Sequence, residues 1–95
     1  MKFDKDTKIL IVGLGLIGGR YAEALSSGGY EVGAIDCNAD SIAFALEKGW
    51  ISSGRADTDG EYIGKFDLIV FALYPHIFID WIKQNQRFIR PGALL

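Results

Sequence analysis

Apolar residues in this chain fall into two rhythms. Short apolar stretches at residues 9–12, 30–35 and 68–73 have the length of strands, while the segments between them repeat apolar positions at helical spacing. Residues 9–12 predict a first strand. Residues 16–27 predict a helix with Tyr21, Ala24 and Leu25 on one face, closed by Gly28-Gly29 as a left-handed cap. Residues 31–36 read as a second strand, and residues 40–48 as a helix with Ile42, Ala45 and Leu46 at helical spacing, closed by Gly49. Residues 50–52 predict a short third strand. Residues 53–65, with Gly54, Gly60 and Gly64 among their charges, read as a loop holding one helical turn at 61–63. Residues 67–74 form the fourth strand, and the unbroken apolarity of Leu68 to Leu73 is that of a parallel strand covered on both faces. Pro75 opens a helix to about Arg87 with Phe78, Trp81 and Ile82 inward. Pro91-Gly92 makes a turn, and residues 93–95 start another strand.

Strands alternating with helices predict an α/β fold: a Rossmann-type, doubly wound parallel sheet in three α/β/α layers. Right-handed crossovers give the strand order 3-2-1-4. Ligands are then expected outside the carboxyl ends of strands one and four, where the order reverses. That placement sets residues 13–18 opposite residues 72–76.

The first strand runs directly into Gly13-Leu14-Gly15-Leu16-Ile17-Gly18, a Gly-x-Gly-x-x-Gly turn at the start of a helix. Each glycine has a physical task in a dinucleotide site: Gly13 for the tight turn, Gly15 for close approach to a pyrophosphate, Gly18 for packing of helix on strand. Free N–H groups and the positive end of the helix dipole then favour phosphate. The pattern alone also marks ordinary strand–turn–helix junctions; the second strand adds the context. It ends in Asp36, close to the expected interval of about 20 residues, where a carboxylate accepts hydrogen bonds from ribose hydroxyls. Such a carboxylate repels a 2′-phosphate, and Cys37 and Asn38 supply no arginine to offset it, so NAD is expected rather than NADP. Asp36 also has the makings of a helix cap, a role open to Asn38 or Asp40 as well.

Composition narrows the remaining classes. The 95 residues amount to one domain, with 49% hydrophobic and 23% charged residues, a globular balance. A net charge of −2 and ten scattered basic residues give no nucleic-acid footprint. No apolar run approaches the roughly 20 residues a bilayer requires. The start of the chain lacks the apolar stretch of a signal peptide, and a single cysteine, Cys37, suits a reducing compartment; a cytoplasmic protein is expected. Cys37 itself reads as a small residue filling space at the strand end. No metal-ligand spacing is present.

Taken together, these residues resemble the amino-terminal part of the prephenate dehydrogenase family. The likeness lies in Gly13-Leu14-Gly15-Leu16-Ile17-Gly18-Gly19, in Gly29-Tyr30-Glu31-Val32 before Asp36, and in Glu47-Lys48-Gly49-Trp50-Ile51. It continues through Asp67 to Pro75 and Arg90-Pro91-Gly92-Ala93-Leu94-Leu95, and so covers nearly the whole chain. Several of these blocks are shared with arogenate and other β-hydroxyacid-type dehydrogenases. The resemblance implies oxidative decarboxylation of prephenate to 4-hydroxyphenylpyruvate, a step of tyrosine biosynthesis, with NAD or NADP as acceptor. It implies a cofactor domain over residues 1–95, with the family's catalytic histidine, substrate-binding arginines and dimerisation domain beyond the point matching Leu95. No residue of this chain is then assigned as catalytic. The cofactor-binding set is Gly13, Leu14, Gly15, Leu16, Ile17 and Gly18 for the phosphate turn. Asp36, Cys37 and Asn38 belong to the ribose, and Ala72, Leu73, Tyr74 and Pro75 to the loop passing the nicotinamide side.

Other readings stay open. His76 follows strand four on the ligand side, where a general base would be needed, yet a solvated first-turn residue explains it as well. Arg20 stands near a bound phosphate or simply in solvent. Trp50, Phe71, Phe78 and Trp81 read as core. A stand-alone NAD-binding or sensing module, and the cofactor domain of an arogenate or other β-hydroxyacid-type dehydrogenase, are the alternative functions. With strand four at the sheet edge, self-association through that edge is expected.

Overall fold

The computed structural model describes residues 6–57, 59–73 and 75–89. Along the chain run β1 (Lys8–Val12), α1 (Leu16–Ser27), β2 (Glu31–Ile35), α2 (Ala39–Glu47) and β3 (Ser53–Arg55). They are followed by α3 (Gly60–Ile63), β4 (Leu68–Phe71) and α4 (Pro75–Asn85), with a 3-10 turn at Gln86–Phe88. The four strands make one parallel sheet in the order β3-β2-β1-β4, the predicted reversal. Ile9 is paired with Val32 on one side and Leu68 on the other, so β1 is central. Ile9, Leu10 and Ile11 have no exposed surface at all.

The alternation of side chains along each strand divides the interior into two halves. Ile9, Ile11, Val32, Ala34, Leu68 and Val70 face α1 and α2, meeting Ala22, Ile42 and Ala45. Leu10, Val12, Ile35 and Ile69 face the opposite layer with Ile63 and Phe66, and with Phe71, Trp81 and Phe88 packed around them. Each aliphatic side chain taken fully from water contributes about 1.5–3 kcal/mol, so the double-faced sheet carries most of the fold's stability. The three α/β/α layers follow directly from this division.

Some sequence expectations shift. The third strand lies at Ser53–Arg55 rather than at 50–52. Trp50 is spent on closing α2, its N–H donating to the Ala45 carbonyl at 3.0 Å while the Gly49 N–H donates to Leu46 at 3.1 Å. This paired arrangement is the six-to-one, five-to-two pattern that ends many helices. The buried side of α1 is Gly18, Ala22 and Leu25, not Tyr21 and Ala24, which are exposed; on α2, Leu46 is exposed while Ile42 and Ala45 are buried. β4 is shorter than 67–74. At its start the Asp67 carboxylate accepts the Lys8 N–H at 2.9 Å, and beyond Phe71 the Ala72 N–H still donates to Val12 at 2.9 Å. α4 stops at Asn85, two residues before Arg87, and gives way to the 3-10 turn. Trp50, Phe71 and Trp81 pack on the core as expected, while the Phe78 side chain lies outside the description. The turn at Pro91-Gly92 and the strand at 93–95 lie outside the described residues.

Candidate functional site

β1 ends at Val12, and the chain turns at Gly13 with φ 99°, a conformation that L side chains rarely adopt. The Gly13 N–H donates to the Ile35 carbonyl at 2.8 Å, which ties the turn to the end of β2. A β-carbon at Gly13 would stand 2.7 Å from the Ala72 carbonyl oxygen. One at Gly18 would overlap the Gly13 carbonyl oxygen and press on the Ala72 methyl at 3.2 Å. The turn, the first coil of α1 and the segment after β4 therefore interlock, and both glycines are demanded by the protein's own packing.

Gly15 is different. Its φ of −64° is open to any residue, and no other part of the protein lies within 4 Å of where its β-carbon would be. The fold makes no demand for glycine there. Gly15 is the N-cap of α1, which has no side-chain cap and no acid in its first turn. The other two helices whose starts are fully described are served internally. Asn38 caps α2 by accepting the Asp40 N–H at 2.9 Å, and Asp59 caps α3 by accepting the Tyr62 N–H at 3.1 Å. Both also carry an acidic residue in the first turn, Asp40 and Glu61. The start of α1 thus has neither a side-chain cap nor an acid in its own first turn, an arrangement that favours an anion.

Asp36 stands beside this helix start. One carboxylate oxygen accepts the Leu14 N–H at 2.6 Å and the other the Asn38 N–H at 2.9 Å. Its own N–H donates to the Arg55 carbonyl at 3.1 Å. With Asn38 as the cap of α2, Asp36 is released from that role and braces the glycine turn instead. Cys37 is exposed, so it fills no space at the strand end, contrary to expectation. Ala72 and Leu73 close the other side, Leu73 reaching 3.0 Å from the position of a Gly13 β-carbon. Leu16 and Ile17 enter through the backbone of the first coil of α1; their side chains lie outside the description, as do those of Pro75 and His76 at the start of α4. Tyr74 lies outside the described residues. Arg20 is exposed, on a groove of about 740 Å³ between α1 and α2 that Gly15, Phe44 and Trp50 also line. That groove opens over the outer helical layer and touches the glycine turn at one end, while Asp36 and Ala72 do not line it.

One group was missed in the sequence. Arg55, the last residue of β3, pairs in register with Ile35, next to Asp36. Its guanidinium bonds Asp57 through Nε at 3.0 Å, meets Asp59 at 3.5 Å and lies 6.0 Å from the centre of the Tyr62 ring. The hydrogen bond and charge of Asp57 raise the Arg55 pKa, and Arg55 in turn holds the Asp57 carboxyl below its ordinary range. The signal was the Arg-x-Asp-x-Asp run itself, hidden in a segment read as loop. Among the described residues no His, Cys, Asp and Glu cluster could hold a metal, and no helix is long and apolar enough to cross a membrane.

No protein-family model matches this sequence, and no curated protein does. Solved structures match closely in shape. Arogenate dehydrogenase from Synechocystis superposes with a TM-score of 0.84 at 20% identity, over 93% of this chain and 31% of that one. Prephenate dehydrogenase from A. aeolicus, crystallised with hydroxyphenyl propionate and NAD+, gives 0.81 at 26% identity, over 98% of this chain and 34% of that one. A 3-hydroxyisobutyrate dehydrogenase from Salmonella typhimurium gives 0.80 at 23% identity, over 94% and 32%. This chain spans about a third of the length of each. It shares with them the Rossmann-type α/β fold of dehydrogenases.

Proposed function

We propose that residues 1–95 form the NAD-binding domain of a dehydrogenase, of the prephenate dehydrogenase type. The observation that carries this reading is Gly15: a glycine that the fold does not need, at the uncapped start of α1, beside a carboxylate at the end of β2. The N–H groups of residues 15–18 would take the pyrophosphate, with Gly13 and Gly18 holding the turn that aims them. Asp36 would accept the adenosine ribose hydroxyls on the lone pairs its two backbone bonds leave free, with Leu14, Cys37 and Asn38 around it. Ala72, Leu73, Tyr74 and Pro75 would pass the nicotinamide side. NAD is preferred over NADP because Asp36 repels a 2′-phosphate. When bound, NAD supplies the hydride acceptor; the protein supplies position, holding the ring so that hydride transfer and loss of carboxylate from prephenate coincide. None of residues 1–95 is assigned a catalytic role. The support for that substrate is the 26% identity with a prephenate dehydrogenase over 98% of the chain, beside 23% with a 3-hydroxyisobutyrate dehydrogenase over 94%. A soluble cytoplasmic protein that self-associates along the outer edge of β4 completes the reading.

Thermal unfolding with added nucleotide tests it. Ligand at a hundredfold excess over its Kd stabilises by about 2.7 kcal/mol, or roughly 10 °C or more in a domain of this size. NAD is expected to give such a shift and NADP a much smaller one at the same concentration. A melting curve indifferent to both would overturn the proposal.

A further inference from the structure

We infer that Arg55 is a cofactor-selectivity residue, and that Asp57 and Asp59 enforce NAD preference by holding its guanidinium away from the ribose acid Asp36. The inference rests on the cofactor reading above and deepens it. The sheet itself brings a cation to this spot. Arg55 follows Gly54 in β3, pairs with Ile35, and its carbonyl accepts the Asp36 N–H at 3.1 Å, so the two backbones are immediate neighbours. An arginine so close to the ribose acid has the length to reach a 2′-phosphate, or to neutralise the carboxylate that repels one. Left free, it would erode the discrimination that Asp36 provides.

It is not left free. Asp57 takes its Nε at 3.0 Å and Asp59 its far nitrogen at 3.5 Å, and the Tyr62 ring lies beneath at 6.0 Å. Asp59 is fixed in turn, because its other oxygen caps α3 through the Tyr62 N–H at 3.1 Å. Tyr62 is fixed by its hydroxyl, which shares a 2.7 Å hydrogen bond with Ser53 on the same strand as Arg55. The latch thus joins the end of β3, the exposed bend at Asp57 and the cap of α3 at Asp59. Two carboxylates around one guanidinium leave the local charge negative, which itself opposes a 2′-phosphate.

The test is calorimetric titration with NAD and with NADP of the unmodified chain, Asp57→Asn, Asp57→Asn/Asp59→Ser, and that pair combined with Arg55→Met. Serine keeps a capping oxygen for α3, and far-UV circular dichroism confirms that each variant is folded. Exposed ion pairs are individually weak, so the NAD-over-NADP affinity ratio is expected to fall by roughly three- to tenfold in the paired variant and less in Asp57→Asn. Removing Arg55 in that background is expected to restore the ratio. A ratio unchanged in the folded variants, or one that falls equally without Arg55, overturns the inference while leaving NAD binding intact. Failure of the unmodified chain to bind NAD overturns the cofactor reading, and this inference with it.

Discussion

Replacing Gly18 with alanine is expected to unfold the domain or lower its melting temperature by more than about 10 °C, with no nucleotide present. The added methyl would overlap the Gly13 carbonyl oxygen, a backbone atom fixed by its neighbours, and press on Ala72 at 3.2 Å. Neither side can yield cheaply. Gly13 is locked at φ 99° with its N–H on Ile35, and Ala72 is held to Val12 by a 2.9 Å bond. Overpacking in such a site costs about 3 kcal/mol or more, and a domain of this size loses roughly 4–8 °C per kcal/mol. Gly15→Ala is the matched control. Its backbone suits alanine and its β-carbon meets open space. The gain from a stiffer unfolded chain and the loss of a good N-cap roughly cancel, leaving stability within about 1 kcal/mol. Thermal melts of the two variants side by side read the contrast: two glycines of one motif, one required by the fold and the other not. Equal destabilisation by both would contradict it.

Asp36→Ala is expected to act on stability and on binding together. It removes both acceptors that brace the turn, at 2.6 Å from Leu14 and 2.9 Å from Asn38. Hydrogen bonds to a charged acceptor are worth about 1.5–3 kcal/mol each, and partial exposure of Asp36 and access of water to the freed N–H groups bring the combined loss to about 2 kcal/mol. The same change deletes the ribose acceptor and the charge that excludes a 2′-phosphate. NAD affinity is expected to drop at least roughly tenfold while NADP affinity falls less, so the preference narrows or reverses. Denaturant melts and paired titrations measure the two effects separately. Unaltered NAD affinity in a folded Asp36→Ala protein would remove Asp36 from the site.

The parts of this molecule legible in the sequence are those where one physical demand dominates. The apolar run from Leu68 pointed to a strand covered on both faces, which the structure forms over Leu68–Phe71, and its place beside β1 followed from the handedness of crossovers. The glycine turn and Asp36 were legible because their spacing answers to a fixed geometry. β3 was not, because Ser53-Gly54-Arg55 lacks every local sign of a strand. It is held by pairing with β2, and Gly54 is there because a β-carbon would come within 2.7 Å of Ile42. That is a tertiary reason with no local trace. The face of α1 was misread for a similar cause: close packing selected Gly18 and Ala22, while the larger Tyr21 turned outward. Arg55, Asp57 and Asp59 escaped notice because charges in a glycine-rich segment read as solvated loop until the sheet register sets Arg55 beside Asp36, with the two carboxylates on its guanidinium.

The most direct test of the central claim is calorimetric titration of the unmodified chain with NAD, alongside Gly15→Ala, with folding of both confirmed by circular dichroism. Saturable one-site binding to the unmodified chain, lost by at least roughly tenfold in an equally stable Gly15→Ala, is the result predicted for a turn shaped by a pyrophosphate. A folded chain that takes up no NAD, or one whose affinity ignores a methyl at Gly15, would contradict the assignment.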